Sequence, residues 1–312
     1  MPRARPLPDL LRMAPFRVSE AEQLGITPRR LRATDLHAPF RGMRSSTPPA
    51  DLVARCSALD TVMAPGQYFS HTTAARLWGL PLPRGLRTDP RLHVSTAGRE
   101  PTRRGVIGHR ITAIRDIRFH LGLPVVAPSD AWCELAAVRL PTAADDPSRT
   151  RRLTLDELIQ AGDRLLGWPS PLASAGEIDG ALERFGSARG IRSLREARNE
   201  LRPRSASPRE TGLRLLVLRA PAGYPEPELN GPIRLSTGAL THGDLVFRRY
   251  RVILEYDGVH HRTDDRQAIR DVDRLNDLAR DGWLVVRIHK GTTDAATLDW
   301  LDSALRSRGW RP

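Results

Sequence analysis

Lysine is almost missing from this chain: Lys290 stands alone against 48 arginines. Genomic base bias accounts for arginine over lysine, but it leaves the excess of basic over acidic residues, +13, unexplained. Cysteine is scarce too. Cys56 and Cys133 cannot build a disulfide framework, and no Cys/His spacing points to structural zinc. No apolar run approaches the length that spans a bilayer, and the N-terminus lacks the apolar stretch of a signal peptide. A cytoplasmic protein with no membrane partner is the expectation. What is present suffices for folding: 312 residues, 40% of them hydrophobic, can supply two or three cores.

The charge is unevenly spread. Residues 1–110 carry 18 arginines against 8 acids, whereas residues 205–312 carry 17 basic groups against 15 acidic ones. A basic N-terminal surface suits polyanions, nucleic acid foremost.

In chain order, prolines at 2, 6, 8 and 15 predict a loose start. Ser19 and Glu22 read as a capping box opening a short helix that ends near Gly25. Thr27 caps a second helix with Pro28 at its first position, carrying Arg29, Arg30 and Arg32. Helix, glycine turn and arginine-rich helix make a helix-turn-helix arrangement, with 40–44 as a wing strand. His71 reads as a residue near a helix N-terminus making a structural hydrogen bond. After a turn-rich break over 81–90, 92–95 and 105–110 read as strands joined by a loop with Arg99, Arg103 and Arg104. Residues 130–140 form an amphipathic helix whose Trp132, Leu135 and Ala136 are core. A polar loop precedes a helix from Thr154, and further helices fall near 175–185 and 192–201. Arg202–Pro208 reads as a linker, and Glu210 as the capping-box acid of a helix capped by Ser207.

Around Gly243–His261 two apolar runs, DLVF and RVILEYD, read as antiparallel strands. Alternation turns Glu255 and Asp257 to one face, with Asp244 across the ladder. Such acids repel unless a cation or shared protons offset them, and hard oxygen ligands suit Mg²⁺ or Mn²⁺. The competing reading is solvated strand ends with ordinary turn chemistry at Asp257-Gly258.

Those residues carry a resemblance. D-x-V-F, a basic turn and E-Y-D-G-x-x-H resemble the very-short-patch-repair-like branch of the PD-(D/E)XK nucleases. Asp271-x-x-Arg274-x-x-x-Leu278 running into Gly282-Trp283-Leu284-Val285-Val286-Arg287 extends it across about residues 205–308. The resemblance implies a restriction-endonuclease-like domain with Glu210, Asp244, Glu255 and Asp257 as its acidic set. The superfamily lysine is absent, with Asp257 in its place. His260, His261, Arg274, Arg287 and Lys290 are the candidates to offset charge on the phosphate, and a histidine could take the proton of the attacking water. Upstream, the 19–32 layout and Ser70-His71-Thr72-Thr73-Ala74-Ala75-Arg76-Leu77-Trp78-Gly79-Leu80 resemble the winged-helix region of abortive-infection antitoxins.

The expected architecture is therefore a multidomain α+β chain. It has a winged helix-turn-helix over 1–50, a small α/β region over 51–140, a helical connector and linker over 141–204, and a nuclease-like domain over 205–312. The expected function is metal-dependent DNA cleavage, in a setting such as phage defence or DNA repair. Asp244, Glu255 and Asp257 hold the metal, and Arg29, Arg30, Arg32, Arg274 and Arg287 contact DNA. RNA as substrate stays open. The competing function is a non-catalytic DNA-binding regulator or antitoxin with a degenerate nuclease-like module, against which the intact acidic set speaks.

Overall fold

A computed structural model describes residues 6–111, 113–141, 150–257 and 265–312, without the side chains of 265–268. Two compact units partition the chain: Met1–Thr154 with Ala175–Arg195, and Leu155–Ser174 with Glu196–Pro312. Both mix helices and sheet, and no helix among the described residues is long and apolar enough to cross a membrane.

The first unit opens with α1 (Asp9–Met13), β1 (Phe16–Arg17), α2 (Val18–Gln23), α3 (Pro28–Leu31) and β2 (Met43–Arg44). Leu7, Leu11, Phe16, Ala21 and Leu31 gather into a small core, so the expected loose start is anchored from Leu7 onward. β1 pairs antiparallel with β2, which holds Arg17 extended and moves the helix start forward. Val18 is the first helical residue, and Glu20, not Glu22, reaches back to the Arg17 amide at 3.3 Å. Thr27 caps α3 as expected, its hydroxyl accepting from the Arg30 amide, but α3 is a single turn.

The rest of this unit comprises α4 (Leu52–Asp60), β3 (Tyr68–Phe69), α5 (His71–Leu77), α6 (Arg84–Arg87), β4 (Leu92–Thr96), β5 (Val106–Arg110), β6 (Ile117–His120), β7 (Leu123–Val126) and α7 (Pro128–Leu135). A strand pair, β8 (Leu140–Pro141) with β9 (Thr150–Arg151), follows. The main sheet runs β5-β4-β3-β7-β6. β4 and β5 are parallel, an arrangement that two neighbouring strands joined by a short loop rarely adopt. Gly108 permits the tight crossover, because a Cβ there would sit 2.1 Å from the Pro101 carbonyl oxygen. Trp132 is fully buried on α7, as its helical spacing predicts.

The helices expected as a connector are divided. α8 (Leu155–Leu165) belongs to the second unit, α9 (Ala175–Phe185) to the first, and α10 (Ile191–Glu200) contributes to both. The second unit continues with α11 (Pro208–Leu218), β10 (Glu228–Arg234), β11 (Leu240–Phe247), β12 (Val252–Asp257), α12 (Asp265–Arg280), β13 (Leu284–His289) and α13 (Asp294–Ser307). Its sheet runs β10-β11-β12-β13, antiparallel twice and then parallel across the α12 crossover.

Leu245 faces Leu254 in the β11–β12 hairpin, and the Arg248–Tyr250 turn closes it with Arg251 left-handed at φ 51°. The two sheet faces separate cleanly. Leu245, Phe247, Val252 and Leu254 pack with α11 and α13, while Val246 and Ile253 pack with Leu278 of α12. Alternation therefore puts Asp244, Glu255 and Asp257 on the α12 face. The stretch expected as a free linker is tied down. The Arg204 guanidinium donates to the carbonyls of Leu229 and Asn230, and Ser205 is buried.

Candidate functional site

Three acids converge at one end of the second sheet. Leu229 faces Leu245 and Gly231 faces Gly243, so Asn230 sits opposite Asp244 across β10 and β11. Continuing the Leu245–Leu254 register places Glu255 opposite Asp244 on the other side. The Tyr256 amide donates to Asp244 Oδ2 at 2.8 Å. Glu210 reaches the row from the first turn of α11, where Ser207 caps its amide at 3.2 Å. Its Oε2 accepts from the Ala206 amide at 2.8 Å and from Asn230 Nδ2 at 2.7 Å, rather than from the Ser207 amide that a capping box would use.

Asn230 is the residue that sequence reasoning missed. It is buried and left-handed at φ 44°, and its amide nitrogen donates to both Glu210 and the Arg204 carbonyl. In the sequence, Asn230-Gly231-Pro232 has the look of a turn, which hides an edge strand in which proline is tolerated.

Burial pushes the Asp244 carboxyl up to about 7, and the charges of Glu210 and Glu255 push the same way. The Tyr256 amide and Arg274 act against them. Arg274 of α12 grips Glu255 with two nitrogens and also donates to Thr241 Oγ1 and the His242 carbonyl, both at 2.7 Å. Arg287 of β13 pairs with Asp257 at 2.7 Å on the same face. Both arginines expected at DNA are thus engaged by the acids. Of the others, Arg30 forms a two-nitrogen pair with Asp35, while Arg29 and Arg32 are exposed. His260 and His261 lie outside the described residues.

The acidic oxygens do not close into one tight ligand set. Among the described residues, the group whose ligand atoms all lie within 4.8 Å of one another is His71, His93 and His109, in the first unit. His71 starts α5 in a left-handed conformation, φ 49°, with its amide donating to Glu134 Oε2 at 2.7 Å. Its ring Nδ1 lies 3.0 Å from the Ser70 hydroxyl. His93 Nδ1 and His109 Nε2 are 2.8 Å apart, on the parallel strands β4 and β5. The His71 and His109 rings stack at 3.7 Å.

No family model matches the chain, and no solved structure matches it. Two uncharacterized proteins of Mycobacterium tuberculosis, from strains CDC 1551 / Oshkosh and ATCC 25618 / H37Rv, are similar to it. Each is 26% identical over 241 residues, spanning 76% of this chain and 80% of the relative.

Proposed function

We propose that the second unit is a metal-dependent endonuclease acting on DNA, with Glu210, Asp244 and Glu255 as its working acids and Asp257 beside them. The observation that carries this reading is the convergence of Glu210, Asp244 and Glu255 from α11, β11 and β12 on one locus, two of them largely buried. Acids are seldom buried together without a counter-charge, and here the full guanidinium grip is on Glu255 alone. The donor chemistry fits a hard divalent cation such as Mg²⁺ or Mn²⁺: Asp244, Glu255 and Asp257 all offer carboxylates, and Asp244 keeps one oxygen beyond its bond to Tyr256. Asp244 and Glu255 would hold the ion, with Asp257 completing the set.

When bound, such an ion lowers the pKa of its water and offsets charge on the phosphate. The chain's own groups do the rest. Asn230 fixes the Glu210 carboxylate beside Asp244, and the Tyr256 amide fixes the orientation of Asp244. Arg274 and Arg287, paired with Glu255 and Asp257, are the residues that would offset phosphate charge if those carboxylates held a metal. The arginine excess of residues 1–110 supplies DNA affinity through phosphate contacts.

The test is cleavage of supercoiled plasmid with Mg²⁺, Mn²⁺ or EDTA, by the wild type and by Asp244→Ala and Glu255→Ala. Metal-dependent nicking or linearisation that falls at least ~100-fold in both variants is expected. Salt-sensitive DNA binding without cutting, unchanged by either substitution, would instead support the regulator reading.

A further inference from the structure

We propose that His71, His93 and His109 form a binding site in the first unit for one divalent transition cation of the zinc class. Their ligand atoms already lie within 4.8 Å of one another, contributed by the start of α5 and by β4 and β5. Imidazole nitrogens favour borderline cations such as Zn²⁺ or Co²⁺ over Mg²⁺, so this site is chemically distinct from the carboxylate cluster of the second unit.

A second observation points to the same place. Glu134, on α7, is fully buried against His71, and its Oε1 has no hydrogen-bond partner. That oxygen instead faces Arg115 Nε in an ion pair at 3.6 Å, beyond hydrogen-bond distance. A buried carboxylate beside a metal-binding histidine accepts its second ring proton and fixes the tautomer. Glu134 Oε2 is 3.5 Å from His71 Nδ1, and the Ser70 hydroxyl is 3.0 Å from the same nitrogen, which leaves Nε2 for the metal. The left-handed backbone of His71 belongs to the kind of strain, of order 1–3 kcal/mol, that accumulates at ligand sites.

Burial is the first cause lowering each of the three rings, His71 well below its ordinary value and His93 to about 3. A hydrogen bond joins His93 to His109, and the His71 ring stacks on His109 with Glu134 Oε2 3.5 Å from its Nδ1. Tetrahedral zinc, with Zn–N near 2.0–2.1 Å, holds its ligand nitrogens roughly 3.3 Å apart. Binding therefore replaces the His93–His109 hydrogen bond, widens that 2.8 Å gap by about half an ångström and slides His71 off the face of His109.

The experiment uses the full chain stripped with chelator and titrated with Co²⁺, then with Zn²⁺ as competitor. One equivalent of Co²⁺ with tetrahedral ligand-field absorption, displaced by Zn²⁺, is expected in the wild type. The same spectrum is expected in Asp244→Asn, which separates this site from the acidic one. In His109→Gln, affinity falls by about 100-fold or more. Absence of the absorption in the wild type overturns the proposal, as does wild-type affinity in His109→Gln. Because that variant could lose its fold, imidazole ¹⁵N shifts of the wild type on adding Zn²⁺ provide the second readout. Shifts at all three histidines are expected, and an unchanged spectrum overturns the proposal.

Discussion

Asp244 is an acid held at a disadvantage, and its titration should be visible in stability. Its folded value, about 7, lies above the ordinary 3.8 because of burial first and of Glu210 and Glu255 next. Between roughly pH 4 and pH 7 the folded chain keeps a proton that the unfolded chain has released. Stability contributed by this group is therefore complete below about pH 4, falls as pH rises, and levels off above about 7. Asp244→Asn removes the ionisation yet keeps an oxygen to accept from Tyr256. Denaturation should show the variant more stable than the wild type at pH 8, by up to ~4 kcal/mol for a three-unit shift, with the gap closing by about pH 4. A pH-independent difference would mean that Asp244 is not short of counter-charge. Asn230 offers a companion test, since Asn230→Ala strips Glu210 of a buried donor. A cost of about 1–3 kcal/mol is expected on urea denaturation, together with impaired cleavage if Glu210 acts at the metal.

Elements differ in how openly the sequence announces them. The β11–β12 hairpin is legible because alternation and a basic turn specify both register and facing, and Leu245 does meet Leu254. Glu255 and Asp257 could be assigned a common face from spacing alone. β10 was not legible, since Asn230-Gly231-Pro232 interrupts it with turn chemistry and only its edge position makes proline acceptable. With β10 hidden, the hydrogen bond that brings Glu210 to Asp244 was hidden too. The histidine cluster left no local signal because its members come from separate elements: the parallel β4–β5 pairing draws His93 to His109, and α5 brings His71. α8 is a similar case. Its attachment to α11 depends on Asp163, fully buried, which accepts from Thr211, Arg214 and the Arg202 amide. Arg214 is equally buried and gives Asp163 its only charged partner among the bonds described. Arg214→Leu leaves that carboxylate unpaired and should cost about 3–5 kcal/mol, whereas pairing it with Asp163→Leu should recover most of the loss. Equal destabilisation in the single and double variants would show that the ion pair does not hold α8.

At the scale of the whole chain the informative quantity is charge asymmetry, +10 over residues 1–110 against +2 over 205–312. The sequence displays it fully, but only side-chain pairing shows which arginines remain to meet a polyanion. Arg30 is committed to Asp35, and Arg103 donates to the carbonyls of Arg41 and Val62, so both act as struts within the first unit. Arg29, within the one-turn α3, and Arg32, just past its end, are exposed and take no such part in the bonds described. Each phosphate that a protein neutralises adds about 0.9 to the slope of log affinity against log salt. The double substitution Arg29→Ala/Arg32→Ala should then lower DNA affinity at low salt and flatten that slope by close to 2, without changing the melting temperature. Arg30→Ala should behave in the opposite way, losing stability while the slope moves by much less. Fluorescence anisotropy with one duplex over a salt series measures both. An unchanged slope in the double variant would place the DNA-binding surface elsewhere in the chain, and the arginine excess of this region would then serve its own folding.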